Sequence, residues 1–315
     1  MTVASVAPVA LAQTSEPLKV GTLKFGTVNW LLDTIVAEKI DASEEVTIDR
    51  LELASNQALT VALQAGAVDV IVTDWLWALR RRAEGDDLQF WPYSSALGAL
   101  MVPEGRGVSS LADLKGKRLG VAGSALDKSW LLLRAFAQNT IQADLAEMVE
   151  PIYGAPPLLS EQLKLGRLDG VLTFWNFAAR LDAAGYRPLL DMADVAAGLG
   201  VRPSPPLVGF VWRETLLNAK RGQLLGFLRA VRAANQVLKT NDNAWERLRP
   251  EMRPESEAEF QRLRDYFRAG IPSPWGEAET VAAERLYKLL EQLGGPELVG
   301  PRTRFDPLLF RVPKA

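Results

Sequence analysis

From Leu18 onward the sequence alternates between short apolar runs and segments with helical periodicity. The apolar runs predict strands at residues 18–25, 46–53, 68–73 and 88–94, and the segments between them predict helices at 30–39, 57–65 and 75–83. The run at 68–73 is almost wholly apolar, as expected of a strand buried on both faces of a parallel sheet. This order of elements predicts right-handed crossovers and an open α/β sheet.

The same pattern restarts after a turn-rich break at residues 103–107. Strands are predicted at 118–122, 147–153, 170–173 and 188–192, with helices at 110–114, 158–165 and 176–184 and one after Gly123-Ser124 that places Leu126, Trp130, Leu133 and Ala137 on one face. Residues of about 104 to 200 therefore form a second α/β unit of similar design.

The last third of the chain is mostly helical and needs a sheet to cover. A proline-rich segment at 202–206 precedes one more predicted strand at 208–212, after which apolar stripes indicate helices. We expect this part to return to the first unit. The predicted division is residues 18–103 plus 207–315 as lobe 1 and 104–206 as lobe 2, with crossings near 96–104 and 201–208 that form a hinge.

Two missing residue types narrow the chemistry. The 315-residue chain has no cysteine and no histidine, which excludes disulfides, thiolate nucleophiles and catalytic triads and removes the usual ligands of transition metals. Its formal net charge is −2, which gives no general attraction to nucleic acid or to anionic membranes. We expect no metal site, no cofactor and no nucleic-acid partner, and a binding role rather than an enzyme.

The first residues allow two interpretations. Residues 3–12 are small and apolar, and Ala10-Leu11-Ala12 fits the pattern cleaved by signal peptidase, although a positively charged segment before it is missing. Residues 1–17 are thus a signal-peptide remnant, with a mature start near Gln13 and export to the periplasm, or a disordered alanine-rich tail. No later stretch approaches the roughly 18 apolar residues that span a bilayer.

Ligands of open α/β sheets bind at the carboxyl ends of the strands. The segments that follow the predicted strands combine small or hydroxyl residues with aromatic or amide residues, which is the composition of a small-molecule pocket. The alternatives are structural: Asn56, Asp74 and Ser124 are also good helix N-caps, and any single tryptophan is more often part of a core.

The segment 110–121 (SLADLKGKRLGV) resembles the start of the second lobe in periplasmic binding proteins of the nitrate/sulfonate/taurine group of ABC importers. The segments 59–74 and 161–170 look like two copies of the Gly-x-x-Asp element of that group. The resemblance implies an α/β, two-lobed type II periplasmic-binding-protein fold, with an open, mostly parallel sheet flanked by helices in each lobe and two crossings. By position in that fold, ligand contacts are implied for Thr27, Asn29, Trp30, Asn56, Asp74, Trp75, Ser124, Asp127, Tyr153, Trp175 and Asn176.

The resemblance implies a monomeric, exported binding subunit that closes on a small organic ligand and delivers it to an ABC permease and its ATPase at the inner membrane. An anion would rest on the helix N-terminus after Gly123-Ser124, helped by Lys24 or Lys128, whereas Asp74 and Asp127 favour a ligand that also carries an amine. A sulfonate or a taurine-like zwitterion satisfies these demands.

Other ligands and functions stay open at this point. A cation held by Trp30, Trp75 and Trp175 is a second ligand class. The alternative functions are a periplasmic accessory protein to another enzyme and a cofactor-free lyase that uses Asp74 or Asp127 as its base. Thiamine-pyrimidine synthases of similar fold depend on a histidine and a cysteine-rich segment, and this sequence has neither.

Overall fold

The structure is a computed structural model that describes residues 16–311. The predicted processing segment at 3–12 lies outside these residues. Within them, no helix combines the length and the apolar character that crossing a membrane requires.

Two five-stranded sheets form the framework. The first sheet has the order β2-β1-β3-β10-β4 and the second the order β7-β6-β8-β5-β9. Four strands of each sheet point the same way, and the fifth, β10 or β5, is antiparallel to both of its neighbours. The predicted open, mostly parallel sheets are therefore confirmed. The strands are β1 Leu18–Leu23, β2 Ile48–Leu53, β3 Val70–Asp74, β4 Leu88–Ser94, β5 Gly98–Pro103, β6 Arg118–Ala122, β7 Glu150–Gly154, β8 Gly170–Phe174, β9 Tyr186–Asp191 and β10 Val208–Arg213.

Helices connect the strands and make up most of the remaining chain. Nine precede β10: α1 Val28–Ala37, α2 Ile40–Ser43, α3 Asn56–Gln64, α4 Trp75–Ala83, α5 Lys128–Ile141, α6 Leu145–Met148, α7 Pro156–Lys164, α8 Trp175–Ala183 and α9 Met192–Gly198. Five follow it: α10 Leu216–Ala219, α11 Arg221–Thr240, α12 Asp242–Met252, α13 Glu257–Ala269 and α14 Glu277–Val299. Short 3-10 turns lie at Leu111–Leu114 and Pro307–Phe310.

One strand lies elsewhere than the sequence indicates. Gly98–Pro103 was predicted to be part of the crossing after lobe 1, but it pairs with β8 and β9 in the second sheet. The loop before this apolar run carries no clear turn signal, and the run ends in a proline. The start of the strand therefore could not be located from the sequence pattern. The chain therefore leaves the first sheet at residues 95–97 and returns to it at 207–208.

The two sheets are structural repeats of each other. Helices α3 and α7 begin at positions that differ by one hundred, as do α4 and α8, and α1 and α5. In each repeat a Gly-x-x-Asp turn precedes the third strand: Asp69 accepts a hydrogen bond from the backbone N–H of Lys19 at 2.8 Å, and Asp169 accepts one from that of Arg118 at 2.9 Å. These aspartates join neighbouring parallel strands, so the motif has a structural role.

The core is continuous across the two sheets. One cluster of buried residues includes Ile71 and Phe90 of the first sheet, Leu100 and Val121 of the second, and Leu286 of α14. Helix α14 packs against both α4 and α5, and α13 packs against α8, so the C-terminal helices contact both halves of the molecule. A C-terminal aromatic group, in which Trp275 stacks on Phe310 with centroids 4.5 Å apart, closes the first half.

Candidate ligand-binding cleft

The carboxyl-terminal edges of the two sheets face each other. Asp74, the last residue of β3, lies 3.7 Å (Oδ2 to Nζ) from Lys128, the first residue of α5. On a second line of contact, Trp30 of α1 meets Trp175 of α8 edge-on, with ring centroids 6.1 Å apart. The two residues of each pair lie at the carboxyl ends of strands that belong to different sheets. The two contacts therefore close the cleft between the halves at these places.

The charged contact brings together Asp74, Asp127 and Lys128, which the sequence analysis named as candidate ligand contacts. Asp74 caps α4 by accepting a hydrogen bond from the backbone N–H of Trp77 at 3.0 Å, and Asp127 caps α5 by accepting one from Trp130 at 3.1 Å. Burial raises the pKa of Asp127, an effect that the adjacent Lys128 ammonium partly offsets. Lys128 thus places a cation between two carboxylate-capped helices.

The aromatic contact joins two helix N-termini that lack a side-chain cap. Seven helices begin at the carboxyl ends of parallel strands, namely α1, α3, α4, α5, α7, α8 and α9, and the side chains of Ser55, Asp74 and Asp127 cap α3, α4 and α5. Helix α7 begins with two prolines, which carry no N–H. Among the described residues, α1, α8 and α9 start with neither a side-chain cap nor a proline. Helix α9 begins beside the carboxylates of Asp191 and Asp194, which would repel an anion, whereas Trp30 and Trp175 bring the starts of α1 and α8 together.

These caps indicate a position for a bound anion that differs from the one predicted from the sequence. The sequence favoured the N-terminus after Gly123-Ser124, but there Asp127 already accepts the backbone hydrogen bond and Ser124 bonds to Leu126 N–H at 3.2 Å. A second negative charge at that helix would be repelled by Asp127. The helix macrodipole instead favours an anion at α1 and α8, where the N–H of Asn29 in α1 already donates to the Gly26 carbonyl at 3.1 Å.

The remaining predicted contacts divide between the cleft and the interior. Thr27 lies just before α1, and its Oγ1 accepts a hydrogen bond from Tyr93 at 3.1 Å. Asn176 is the second residue of α8 and is half-buried. Asn56, Ser124 and Tyr153 lie at strand ends with exposed side chains.

Three predicted contacts lie in the interior. Asn29 is 1% exposed and donates to the carbonyls of Leu23 and Lys24, so it holds the loop between β1 and α1. Trp30 is 6% exposed, and only its contact with Trp175 faces the cleft. Trp75 is fully buried, donates from its indole N–H to the Pro206 carbonyl at 3.1 Å, and packs edge-on to Phe310.

The three-tryptophan cation site does not form. Trp30 and Trp175 belong to one aromatic group, whereas Trp75 lies in another core cluster with Phe305 and Phe310. Within the part of the chain that the structure describes, no three acidic side chains converge to hold a metal ion.

Two aromatic residues at the strand ends were missed. Phe25 follows β1, is 75% exposed, and lies between the Lys24 ammonium at 5.7 Å and the Arg253 guanidinium at 5.8 Å. Phe174 ends β8 and is 40% exposed. The repeat could have identified Phe174, because it occupies the position that Asp74 occupies in the first sheet.

Comparison with known proteins agrees with this architecture. The family model described as NMT1/THI5 like matches residues 42–243, more than half of the chain. No curated protein matches the chain. The structure is similar to that of the periplasmic aliphatic sulphonate binding protein SsuA from Escherichia coli, with a TM-score of 0.74, 17% identity, and coverage of 95% of this chain and 94% of that one.

Two further solved structures share the fold. The alkanesulfonate-binding protein SsuA from Xanthomonas axonopodis pv. citri, bound to MOPS, matches with a TM-score of 0.65 at 17% identity over 93% of this chain and 97% of that one. The desulfurization enzyme DszB matches with a TM-score of 0.61 at 16% identity over 93% and 97%. The fold is therefore shared by binding proteins and by an enzyme, and the residues of the cleft have to decide between these roles.

Proposed function

The chain belongs to the NMT1/THI5-like family, and on that basis we propose that it is the exported solute-binding subunit of an ABC importer, which binds an organic ligand between its lobes and presents it to a permease. The observation that carries the proposal is the cleft: two repeated sheets face each other with their carboxyl-terminal edges, and within residues 16–311 the chain passes from one sheet to the other at residues 95–97 and back at 199–207. Two adjacent connections of this kind allow hinge closure. In this proposal the second lobe runs from Gly98 to about residue 206, because β5 is bonded into the second sheet.

The charges of the cleft favour a ligand with both signs. Its anionic group would rest on the uncapped N-termini of α1 and α8, near Thr27, Trp175 and Asn176. Its ammonium group would replace that of Lys128 beside Asp74 and Asp127. An aminosulfonate such as taurine has this charge pattern, and the two SsuA proteins of similar fold bind sulfonates by their names.

Binding without turnover is favoured by the environment of the two acids. Asp74 and Asp127 each cap a helix through Oδ1, and Oδ2 of Asp74 faces Lys128, so a structural role accounts for both carboxylates. The chain also offers no histidine or cysteine as another base or nucleophile.

The test is a comparison of one zwitterion with its two halves. Thermal unfolding and calorimetric titration would be measured with taurine, methanesulfonate and ethylamine. A bound ligand at a hundredfold excess over Kd stabilises the folded state by about 2.7 kcal/mol. We expect taurine to bind most tightly. Equal binding of methanesulfonate would contradict the ammonium subsite, and the absence of binding by all three would count against the transport role.

A variant pair localises the ammonium subsite. Asp74→Asn should weaken taurine binding about 10- to 100-fold, because a hydrogen bond to a charged group is worth about 1.5–3 kcal/mol, while methanesulfonate binding stays unchanged. Lys164→Gln is the control, since Lys164 is the last residue of α7 and pairs with Glu161 of the same helix. A loss of taurine binding in the control as well would show a general effect on folding.

A further inference from the structure

Helices α8 and α13 meet across the boundary between the two halves. Helix α8 belongs to the second half, where Ala178 and Leu181 are buried in the core cluster beneath β5 and β8. Helix α13 is anchored to the first half: Phe267 packs on Trp245 with centroids 5.2 Å apart, and Arg268 donates to the Leu238 carbonyl at 2.9 Å. Their contact is therefore a contact between the lobes.

The contact between these helices has an apolar part, in which Ala179 is buried in one cluster with Leu263 and Phe267, and a polar part that is paired. Arg180 of α8 forms an ion pair with Glu259 of α13 and donates to the carbonyl of Met252 at 2.9 Å. Asp182 of α8 accepts a hydrogen bond from Tyr266 at 3.1 Å and lies 3.3 Å from Arg262. Glu259, Arg262 and Tyr266 are spaced by three and four residues, so they form one stripe along α13.

These contacts are separate from the proposed ligand subsites. Arg180 and Asp182 lie one to two turns along α8 from its first residue, whereas the cleft is lined by the start of that helix. Glu259 is only 5% exposed in the paired state, so opening the lobes returns a buried carboxylate to water. Buried ion pairs are nearly balanced between the cost of desolvation and the gain from attraction, and such a polar interface can separate and form again.

We propose that the Arg180–Glu259 and Asp182–Tyr266–Arg262 contacts form a clasp that shifts the lobes toward the closed state before any ligand arrives. This proposal rests on the lobe closure of the proposed function. It adds the contacts that set the equilibrium between the open and the closed state. A ligand that needs the closed state binds with an apparent Kd that rises as the closed fraction falls. The clasp therefore tunes affinity without touching the ligand.

The distance between the lobes tests the clasp without a ligand. Because the chain has no cysteine, Gln57→Cys on α3 and Leu158→Cys on α7 give two unique positions for spin labels. Both residues are exposed, and α3 packs on β1 and β3 while α7 packs on β6 and β8, so each label reports the position of one sheet. Pulsed electron–electron double resonance measures the distribution of distances between the two labels.

In the parent protein we expect one predominant short distance. Glu259→Arg places like charges at the clasp and should add a longer population of at least a third of the molecules. The exchanged pair Arg180→Glu/Glu259→Arg should restore the short distance. The control is Gln261→Arg, an exposed position on the same helix, which should leave the distribution unchanged.

Two results would overturn the clasp: an unchanged distribution in Glu259→Arg, or an exchanged pair that stays as open as the single variant. The second would mean that Arg180 and Glu259 act through the stability of their own helices. Neither result depends on whether taurine binds, so failure of the clasp and failure of the proposed ligand are separate outcomes.

Discussion

Single carboxylates that look like candidates for binding turn out to organise the backbone. Asp113, in the segment SLADLKGKRLGV, accepts hydrogen bonds from the backbone N–H and the hydroxyl of both Ser109 and Ser110, at 2.8–2.9 Å. It thereby completes a capping box around the 3-10 turn that precedes β6. The residue that makes this segment recognisable is structural.

Asp113 should make stability depend on pH in acid. Its hydrogen bonds, first that from Ser109 N–H, lower its pKa from 3.8 to about 2. A carboxyl whose pKa is lower in the folded state stabilises the fold above the unfolded value and loses that contribution as pH falls through the folded value. Urea unfolding of Asp113→Asn should therefore lose less stability between pH 4 and pH 2 than the parent. Asp49→Asn, at an exposed position of β2, should behave as the parent, and identical slopes in all three proteins would refute the effect.

For single residues, the sequence predicts which residue types follow the strands better than it predicts the direction in which their side chains point. Trp75 and Trp175 both begin a helix directly after a strand, and both were predicted to face the ligand. Trp75 points into the interior because Phe305 and Phe310, from the far end of the chain, pack against it. Such a long-range partner leaves no local signal, whereas the N-caps Asp74 and Asp127 are visible from sequence because capping is local.

Elements with clear local patterns were predicted closely, and those that depend on the other half were not. The predicted ends of α4, β4 and β6 are those observed. Strand β5 was not predicted. The contacts of α13 and α14 with the second half of the molecule were not predicted either. Periodicity reports which face of a helix is buried, but it does not identify the element that buries it.

A third segment lies beside the first crossing. The carbonyl of Gly270, at the end of α13, accepts a hydrogen bond from Ser95 N–H at 2.8 Å. A Cβ on Gly270 would lie 2.6 Å from that of Ala96. The connection from α13 to α14 is therefore packed on the hinge with no space for a side chain.

Gly270→Ala should destabilise the protein by about 1–3 kcal/mol, because the added methyl group forces the two segments apart. Denaturant unfolding measures the change. Gly222→Ala is the control: this glycine lies in α11 with no atom within 4 Å of the added Cβ, and alanine there should stabilise by about 0.5–1 kcal/mol. Equal effects of the two substitutions would mean that the hinge segments adjust freely.

The whole molecule combines two repeated sheets with one core cluster that both halves share. Leu286 of α14 lies in the cluster that also contains Phe90 of the first sheet and Val121 of the second. Each half also has a cluster of its own, such as that around Leu159 and Val171 in the second half, but the shared cluster joins the two halves. We therefore expect the two halves to unfold together.

Calorimetry should show a single transition in which the calorimetric and van't Hoff enthalpies agree. Leu286→Ala should lower this transition as a whole, at a cost of about 2–5 kcal/mol. Val281→Ala, on the same helix but 46% exposed, should change it little. Two resolved peaks, of which Leu286→Ala moves only one, would show that the halves unfold independently.

The position of β10 also determines when the protein can be completed. This strand lies between β3 and β4, which precede it by more than a hundred residues. During synthesis the ribosome must therefore extend the chain past Arg213 before the first sheet can form. Until then β3 and β4 lack their shared neighbour, whereas all five strands of the second sheet, within residues 98–191, have already been made. The second half of the molecule can therefore complete its sheet before the first half does, although it begins later in the chain.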